Sequence, residues 1–141
     1  MNILLIILTA IAAGVTTYFI ANNLKKGAVL ASASVTLASG IIFPYFFPTM
    51  GSTLMVVAAC ASYGGMVSRR NAPTLFDMVM ISALIGLLFT ITAGSYAGIG
   101  GRLGTIAAIS CFAWLGVKNS AKAASRARKS DFLSKSVGIW Q

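Results

Sequence analysis

Long stretches without a charged residue are the feature that most constrains this chain. Residues 1–24 carry no charge, and neither do residues 27–68. A helix needs about 20 apolar residues to cross the hydrocarbon core of a bilayer. Only 9% of the chain is charged, against about 25% in soluble domains, so there is too little charge to coat a water-facing surface. We therefore predict an all-α, polytopic integral membrane helix bundle.

The first two uncharged stretches predict three membrane-spanning helices. The second stretch is too long for one helix and is divided by the aromatic segment 43–51. Pro44 and Pro48 in that segment lack an N–H donor and disturb the preceding helical turn. The predicted spans cover residues 3–21, 28–43 and 52–67.

The rest of the apolar sequence predicts a fourth and a fifth span. Span four is expected to begin after Pro73, because Thr74-Leu75-Phe76-Asp77 has the S/T-x-x-D form of a capping box. It runs to about residue 93 and is followed by a glycine-rich break. The last apolar run, residues 103–117, is short for a complete crossing. A re-entrant half-helix is the alternative, provided that protein or water shields its backbone.

The basic residues predict the orientation. With five spans, all of them except Arg102 lie on one side of the membrane, which the positive-inside rule makes cytoplasmic. With four spans the tail would lie opposite the other two basic clusters. We therefore expect an external N-terminus, a transmembrane domain over residues 1–117 and a basic cytoplasmic tail over residues 118–141, in a bacterial or archaeal inner (plasma) membrane. The topology-determining residues are Lys25, Lys26, Arg69, Arg70, Lys118, Lys122, Arg126, Arg128 and Lys129.

Small residues predict how the helices pack. Spans two, three and five are rich in Gly, Ala and Ser, which let helix backbones approach closely in lipid. Span one is rich in Ile and Leu and is expected to face lipid. The small-residue faces indicate either tight packing within one bundle or contacts in a homo-oligomer or with other membrane subunits.

The basic tail predicts a second kind of partner. If it continues span five as a helix, Lys118, Lys122, Arg126 and Lys129 form one stripe. Anionic lipid headgroups are the expected partner, and an acidic cytoplasmic protein is the rival. The net charge of +9 does not indicate nucleic-acid binding, because the basic residues cluster between apolar runs.

Asp77 is the only acid near a predicted span. Its simplest role is the last residue of the capping box, supported by the helix dipole and by Arg69 or Arg70 nearby. Charged residues at membrane depth also mark ion and proton pathways. A gating or coupling role for Asp77 is therefore the alternative hypothesis.

Arg102 is the second candidate functional residue. It follows Gly98, Gly100 and Gly101 and opens span five, where a cation is unfavourable to the helix dipole. The cation and the free backbone donors of the first turn suit an anion. Snorkelling of the side chain to the interface is the other explanation.

The composition argues against an enzyme. The chain has no His, which removes the commonest catalytic base and metal ligand. It has no acid pair and no nucleophile–base motif, so neither a cofactor nor a metal is expected. Cys60 and Cys111 lie within apolar runs and are expected to be small buried hydrophobes, able to form a disulfide only if their helices touch.

Three functions fit these observations. The first is a channel- or transporter-type subunit working as a homo-oligomer. Its polar pathway would be lined by Ser32, Ser34, Thr36 and Ser39. The second is a non-catalytic structural or accessory subunit of a larger membrane complex. A holin-like pore former ranks last, because five spans are more than that class needs.

Overall fold

The computed structural model describes the backbone of residues 2–24, 27–94 and 101–137, and the side chains of these ranges as far as residue 126. Within these ranges all regular structure is helical, which confirms the all-α prediction. The helices are α1 (Ile3–Asn23), α2 (Ala28–Phe46), α3 (Gly51–Gly64), α4 (Leu75–Thr92) and α5 (Arg102–Val137). Helices α1, α2 and α4 are long and apolar enough to cross a membrane, and α3 is a shorter apolar helix.

Helices that follow one another in the chain pack in opposite directions where they meet. The Ser32 hydroxyl near the start of α2 lies 2.9 Å from the Ser62 hydroxyl near the end of α3. Gly40, further along α2, lies against Met55 near the start of α3. The first turn of α4 likewise contacts the middle of α5, and the last turn of α4 contacts the start of α5. Helices α2 and α3 therefore run in opposite directions, and so do α4 and α5.

Helix α3 forms the centre of the bundle. It contacts each of the other four helices, and most of its residues are buried. Its 14 residues rise only about 21 Å, less than the hydrocarbon thickness of about 30 Å. A central helix can be this short because protein rather than lipid surrounds it. The predicted extension of span three to residue 67 is too long, since α3 ends at Gly64.

Helix α1 has a buried face, so the prediction that span one faces lipid is wrong for that face. Ala10, Gly14 and Thr17 are buried, whereas Leu8 on another face is exposed. The backbone at Gly14 lies so close to α4 that an added Cβ would clash with the Ser82 hydroxyl oxygen. The small residues Ala10 and Gly14, four positions apart, permit this approach. The sequence does not single them out, because Ile and Leu dominate span one.

The turn between α2 and α3 lies where the prolines predict it, but α2 continues past Pro44 to Phe46. A proline near the end of a helix removes a single backbone donor. The next turn is kept by the Phe47 N–H, which donates to the Phe43 carbonyl at 2.8 Å. The predicted end of span two at residue 43 is therefore one turn too early.

Helix α5 is uninterrupted from Arg102 to Val137. Its 36 residues extend about 54 Å, well beyond the hydrocarbon thickness. The apolar run 103–117 is therefore part of one long helix and does not form a separate half-helix. The backbone also has no break at residues 117 and 118, and the tail continues the fifth helix as far as residue 137.

The connection between α3 and α4 is held against α1. The Tyr18 hydroxyl donates to the carbonyl of Ala72 at 2.5 Å, and Ala72 is fully buried. The Arg69 guanidinium donates to the Asn23 side chain at the end of α1. These contacts fix the place where α4 begins, and thereby the position of Asp77.

Candidate functional site

Asp77 completes the capping box that the sequence predicts. The Thr74 hydroxyl accepts from the Asp77 N–H at 3.2 Å, and the Thr74 N–H donates to the Asp77 carboxylate at 3.3 Å. The Thr74 hydroxyl also donates to the same carboxylate oxygen at 2.8 Å. The capping box thus satisfies two backbone N–H groups at the start of α4, those of Thr74 and Asp77.

The Asp77 carboxylate also binds two side chains from α5. Lys118 Nζ lies 2.6 Å from Asp77 Oδ2, and Trp114 Nε1 donates to Asp77 Oδ1 at 3.0 Å. The expectation that Arg69 or Arg70 supplies the nearby cation is wrong, because that cation is Lys118. The sequence signal for this pair is the spacing of Trp114 and Lys118, which places both on one face of α5.

This arrangement, the Asp77 clamp, consists of Thr74, Asp77, Trp114 and Lys118. The carboxylate is nearly buried, and both of its oxygens have donors. A buried carboxylate in this state is costly to disturb, because a lost partner leaves charge without compensation. Chemically, the clamp is suited to holding α5 against α4, because both oxygens of the carboxylate accept hydrogen bonds from α5.

Arg102 forms a second contact between the same two helices. Its guanidinium donates to the carbonyl of Thr92 in the last turn of α4 at 3.0 Å. The guanidinium carbon also lies 5.2 Å from the centre of the Phe89 ring. A cation at a helix C-terminus is favourable to the dipole. Although Arg102 stands at the start of α5, its charge therefore interacts favourably with the end of α4.

The glycines beside Arg102 are only partly described. Gly101 has a φ of 82°, in the region that favours glycine. Gly98 and Gly100 lie outside the described residues, as do Lys25 and Lys26. The side chains of Arg128 and Lys129 also lie outside them, although both residues belong to α5.

Together, the Asp77 clamp and Arg102 join α4 to α5 at both ends. Asp77 stands in the first turn of α4 and Thr92 is its last residue. Both candidate functional residues predicted from the sequence are thus engaged in contacts between helices. Of the described groups at these two sites, only the Arg102 Nε is buried without a hydrogen-bond partner.

The hydroxyls predicted to line one polar pathway are divided between two environments. Ser32 and Thr36 lie 2.9 Å and 3.1 Å from the Ser62 hydroxyl, where they join α2 to α3. Ser34 is exposed and donates to the Leu30 carbonyl of its own helix. Ser39 is buried and bonds within α2. Within one bundle these four residues do not line a common path.

The two cysteines are free thiols. Cys60 is buried in α3, and its thiol donates to the Leu103 carbonyl at 3.2 Å. Cys111 is partly buried on α5. Their helices do touch, yet the two side chains act as packing residues without a covalent link.

Asp77, Lys118 and Arg102 thus all contact a neighbouring helix. Residues 2–24, 27–94 and 101–126 contain no cluster of three or more metal-binding side chains of the His, Cys, Asp and Glu types. No protein-family model, curated protein or solved structure matches the chain.

Proposed function

We propose that this protein is a non-catalytic structural or accessory subunit of a larger membrane assembly and that it crosses the membrane five times. The reversal of direction between neighbouring helices supports five crossings. The positive-inside rule supports an external N-terminus and a cytoplasmic C-terminus, because Arg102 is then the only basic residue on the outside. A bacterial or archaeal inner membrane is the proposed location.

The engagement of the charged residues in contacts between helices is the observation that carries this proposal. An ion-coupled transporter needs intramembrane charges that can exchange partners during its cycle. Asp77 and Arg102 are instead bonded to neighbouring helices at the two ends of α4. Such a protein interacts with its partners through the surface of the bundle and not through an internal site.

The packing of the interior supports the same conclusion. Gly14 of α1 lies against Ser82 of α4, and Gly65 lies against Thr17. Contacts this close leave no room for a solute at these two points of α1. The outer helix α2, by contrast, leaves large side chains such as Val29 and Leu37 exposed. This face is available to lipid or to another subunit.

A channel- or transporter-type homo-oligomer is the second candidate. The hydroxyl cluster of Ser32, Thr36 and Ser62 favours it, because Thr36 is only partly buried at the edge of α2. A polar route would then run between copies of the chain. Thr36→Val should reduce solute flux in proteoliposomes, whereas Ser34→Ala, which alters an exposed hydroxyl bonded to its own helix, should not.

The mass and composition of the gently extracted native assembly test the proposal. Native mass spectrometry should find this chain with unrelated subunits at a fixed stoichiometry. An assembly built only from this chain would overturn the accessory-subunit proposal and support the channel-type candidate. A lone monomer in several mild detergents would contradict both.

Reporter fusions test the orientation separately. Alkaline phosphatase is active only outside the inner membrane. Green fluorescent protein that is exported in unfolded form does not fluoresce, so a fluorescent fusion reports a position inside. A C-terminal fusion should therefore be fluorescent, and an insertion of phosphatase into the α2–α3 turn should be active. The opposite pattern would reject the proposed topology.

A further inference from the structure

A groove at the junction of α4 and α5 joins an aromatic end to a cationic end. We name it the aromatic–cationic groove. Phe76 and Trp114 form the aromatic end, with ring centres 6.2 Å apart in an edge-to-face arrangement. Lys122 and Arg126 line the other end, and both are exposed. Lys118 stands between the two ends.

The order of these groups follows from helical geometry. Trp114, Lys118, Lys122 and Arg126 succeed one another at intervals of four and therefore share one face of α5. Each interval advances about 6 Å along the axis, so the cationic end lies roughly 12–18 Å beyond the indole.

The charge along the groove is uneven. Asp77 takes up the charge of Lys118, so the excess positive charge is concentrated at Lys122 and Arg126. Among the described side chains, neither residue has an ion-pair partner. At the aromatic end, Phe76 is 64% exposed although it is a large apolar side chain.

We infer that the aromatic–cationic groove binds one anionic phospholipid. Phe76 and Trp114 contact its apolar portion, and Lys122 and Arg126 bind its phosphate. Aromatic side chains concentrate at the depth of the membrane–water interface, and basic residues just beyond that depth attract anionic headgroups. Arginine can also bind phosphate through two parallel hydrogen bonds.

A lipid fits the groove better than an acidic protein segment does. An acidic segment would engage the cationic end and leave Phe76 uncovered, whereas an amphiphilic lipid covers both ends at once. The inference needs α4 and α5 to cross the membrane as proposed. It does not depend on whether the chain belongs to a larger assembly.

Lipid binding to the purified full-length protein tests the inference. Native mass spectrometry would compare phosphatidylglycerol with phosphatidylcholine of the same acyl chains, added to protein in a neutral detergent. One phosphatidylglycerol should bind in preference to phosphatidylcholine. The double variant Lys122→Gln/Arg126→Gln should weaken its binding about 25-fold, since each basic residue contributes roughly fivefold.

The chain offers a matched control for the loss of one charge. Lys122→Gln alone should weaken binding about fivefold. Arg70→Gln removes the same charge from an exposed residue that does not line the groove, and it should change binding less than about twofold. Phe76→Ala should weaken the binding of both lipids, because it removes apolar contact and no charge. All of these side chains are exposed, and each variant should elute from a sizing column as the wild type does.

Four results would overturn the inference. Equal binding of the two lipids would show that the groove does not select an anionic headgroup. Equal losses in Arg70→Gln and Lys122→Gln would mean that only the overall charge matters. Competition by glycerol phosphate, which lacks acyl chains, would make this a phosphate site rather than a lipid site. Loss of a co-purifying acidic protein from Lys122→Gln/Arg126→Gln, without any lipid preference in the wild type, would assign the groove to a protein partner.

Discussion

Replacing Lys118 by Met should destabilise the bundle by about 2 kcal/mol. The Lys118 ammonium lies 2.6 Å from the Asp77 carboxylate, whose side chain is 4% exposed against 23% for that of the lysine. Leaving one partner of a fully buried ion pair uncompensated costs about 3–5 kcal/mol, whereas exposed pairs contribute about 0–1 kcal/mol. The cost of losing this pair should lie between those limits, because the lysine is partly exposed and because Trp114 and Thr74 still donate to the carboxylate.

Equilibrium unfolding in mixed dodecylmaltoside and sodium dodecyl sulfate micelles, followed by far-ultraviolet circular dichroism, measures this loss. The matched control is Lys122→Met, which removes the same charge one turn further along α5 without touching Asp77. It should change the free energy of unfolding by less than about 0.5 kcal/mol.

A double-mutant cycle isolates the interaction of the pair. Asp77→Asn removes the negative charge, and its combination with Lys118→Met should cost less than the sum of the single losses by about 1–2 kcal/mol. Equal losses for Lys118→Met and Lys122→Met, together with an additive cycle, would refute the argument that the pair joins α4 to α5.

Four further substitutions are measured by the same unfolding assay. Gly65→Ala should cost about 1–3 kcal/mol, because its Cβ would lie 2.8 Å from a backbone carbonyl oxygen of α1. In Gly104→Ala the added Cβ meets nothing within 4 Å. The stability of the bundle should therefore be unchanged or up to about 1 kcal/mol greater. Equal losses in Gly65→Ala and Gly104→Ala would contradict the packing argument. Trp114→Phe keeps an aromatic ring but removes the indole donor, and it should lower the free energy of unfolding by about 1–2 kcal/mol. An unchanged stability would show that this hydrogen bond contributes nothing. Arg102→Met should cost about 1 kcal/mol and speed amide exchange in the last turn of α4, and unaltered exchange there would argue against a capping role.

The site was predictable only where its interactions are local. Thr74 and Asp77 stand three residues apart, so the sequence contains the whole capping box. Lys118 stands 41 positions from Asp77, and the sequence offers several basic residues as partners. Only the packing of α5 against α4 selects Lys118, and the same packing turns Arg102 towards the end of α4.

The prediction of packing shows a similar division. The small residues of span three correctly indicate close contacts, because α3 is almost wholly surrounded by protein. The many Ile and Leu residues of span one predict contact with lipid. Whether a residue contacts lipid or protein depends, however, on the face of the helix on which it lies. The buried residues of α1 include Ala10 and Gly14 as well as the larger Ile6, whereas Leu4 and Leu8 are exposed.

The amino-acid sequence is enough to predict the helical class, the approximate limits of the helices and the start of α4. These properties depend on hydrophobic runs, prolines, glycines and caps, which act over a few residues. The tertiary structure alone decided that the shortest helix lies in the centre and that α1 is partly buried. It also decided that Asp77 and Arg102 bind neighbouring helices. The physical reason is that these outcomes depend on which faces meet, and small residues at distant positions set how closely the backbones approach.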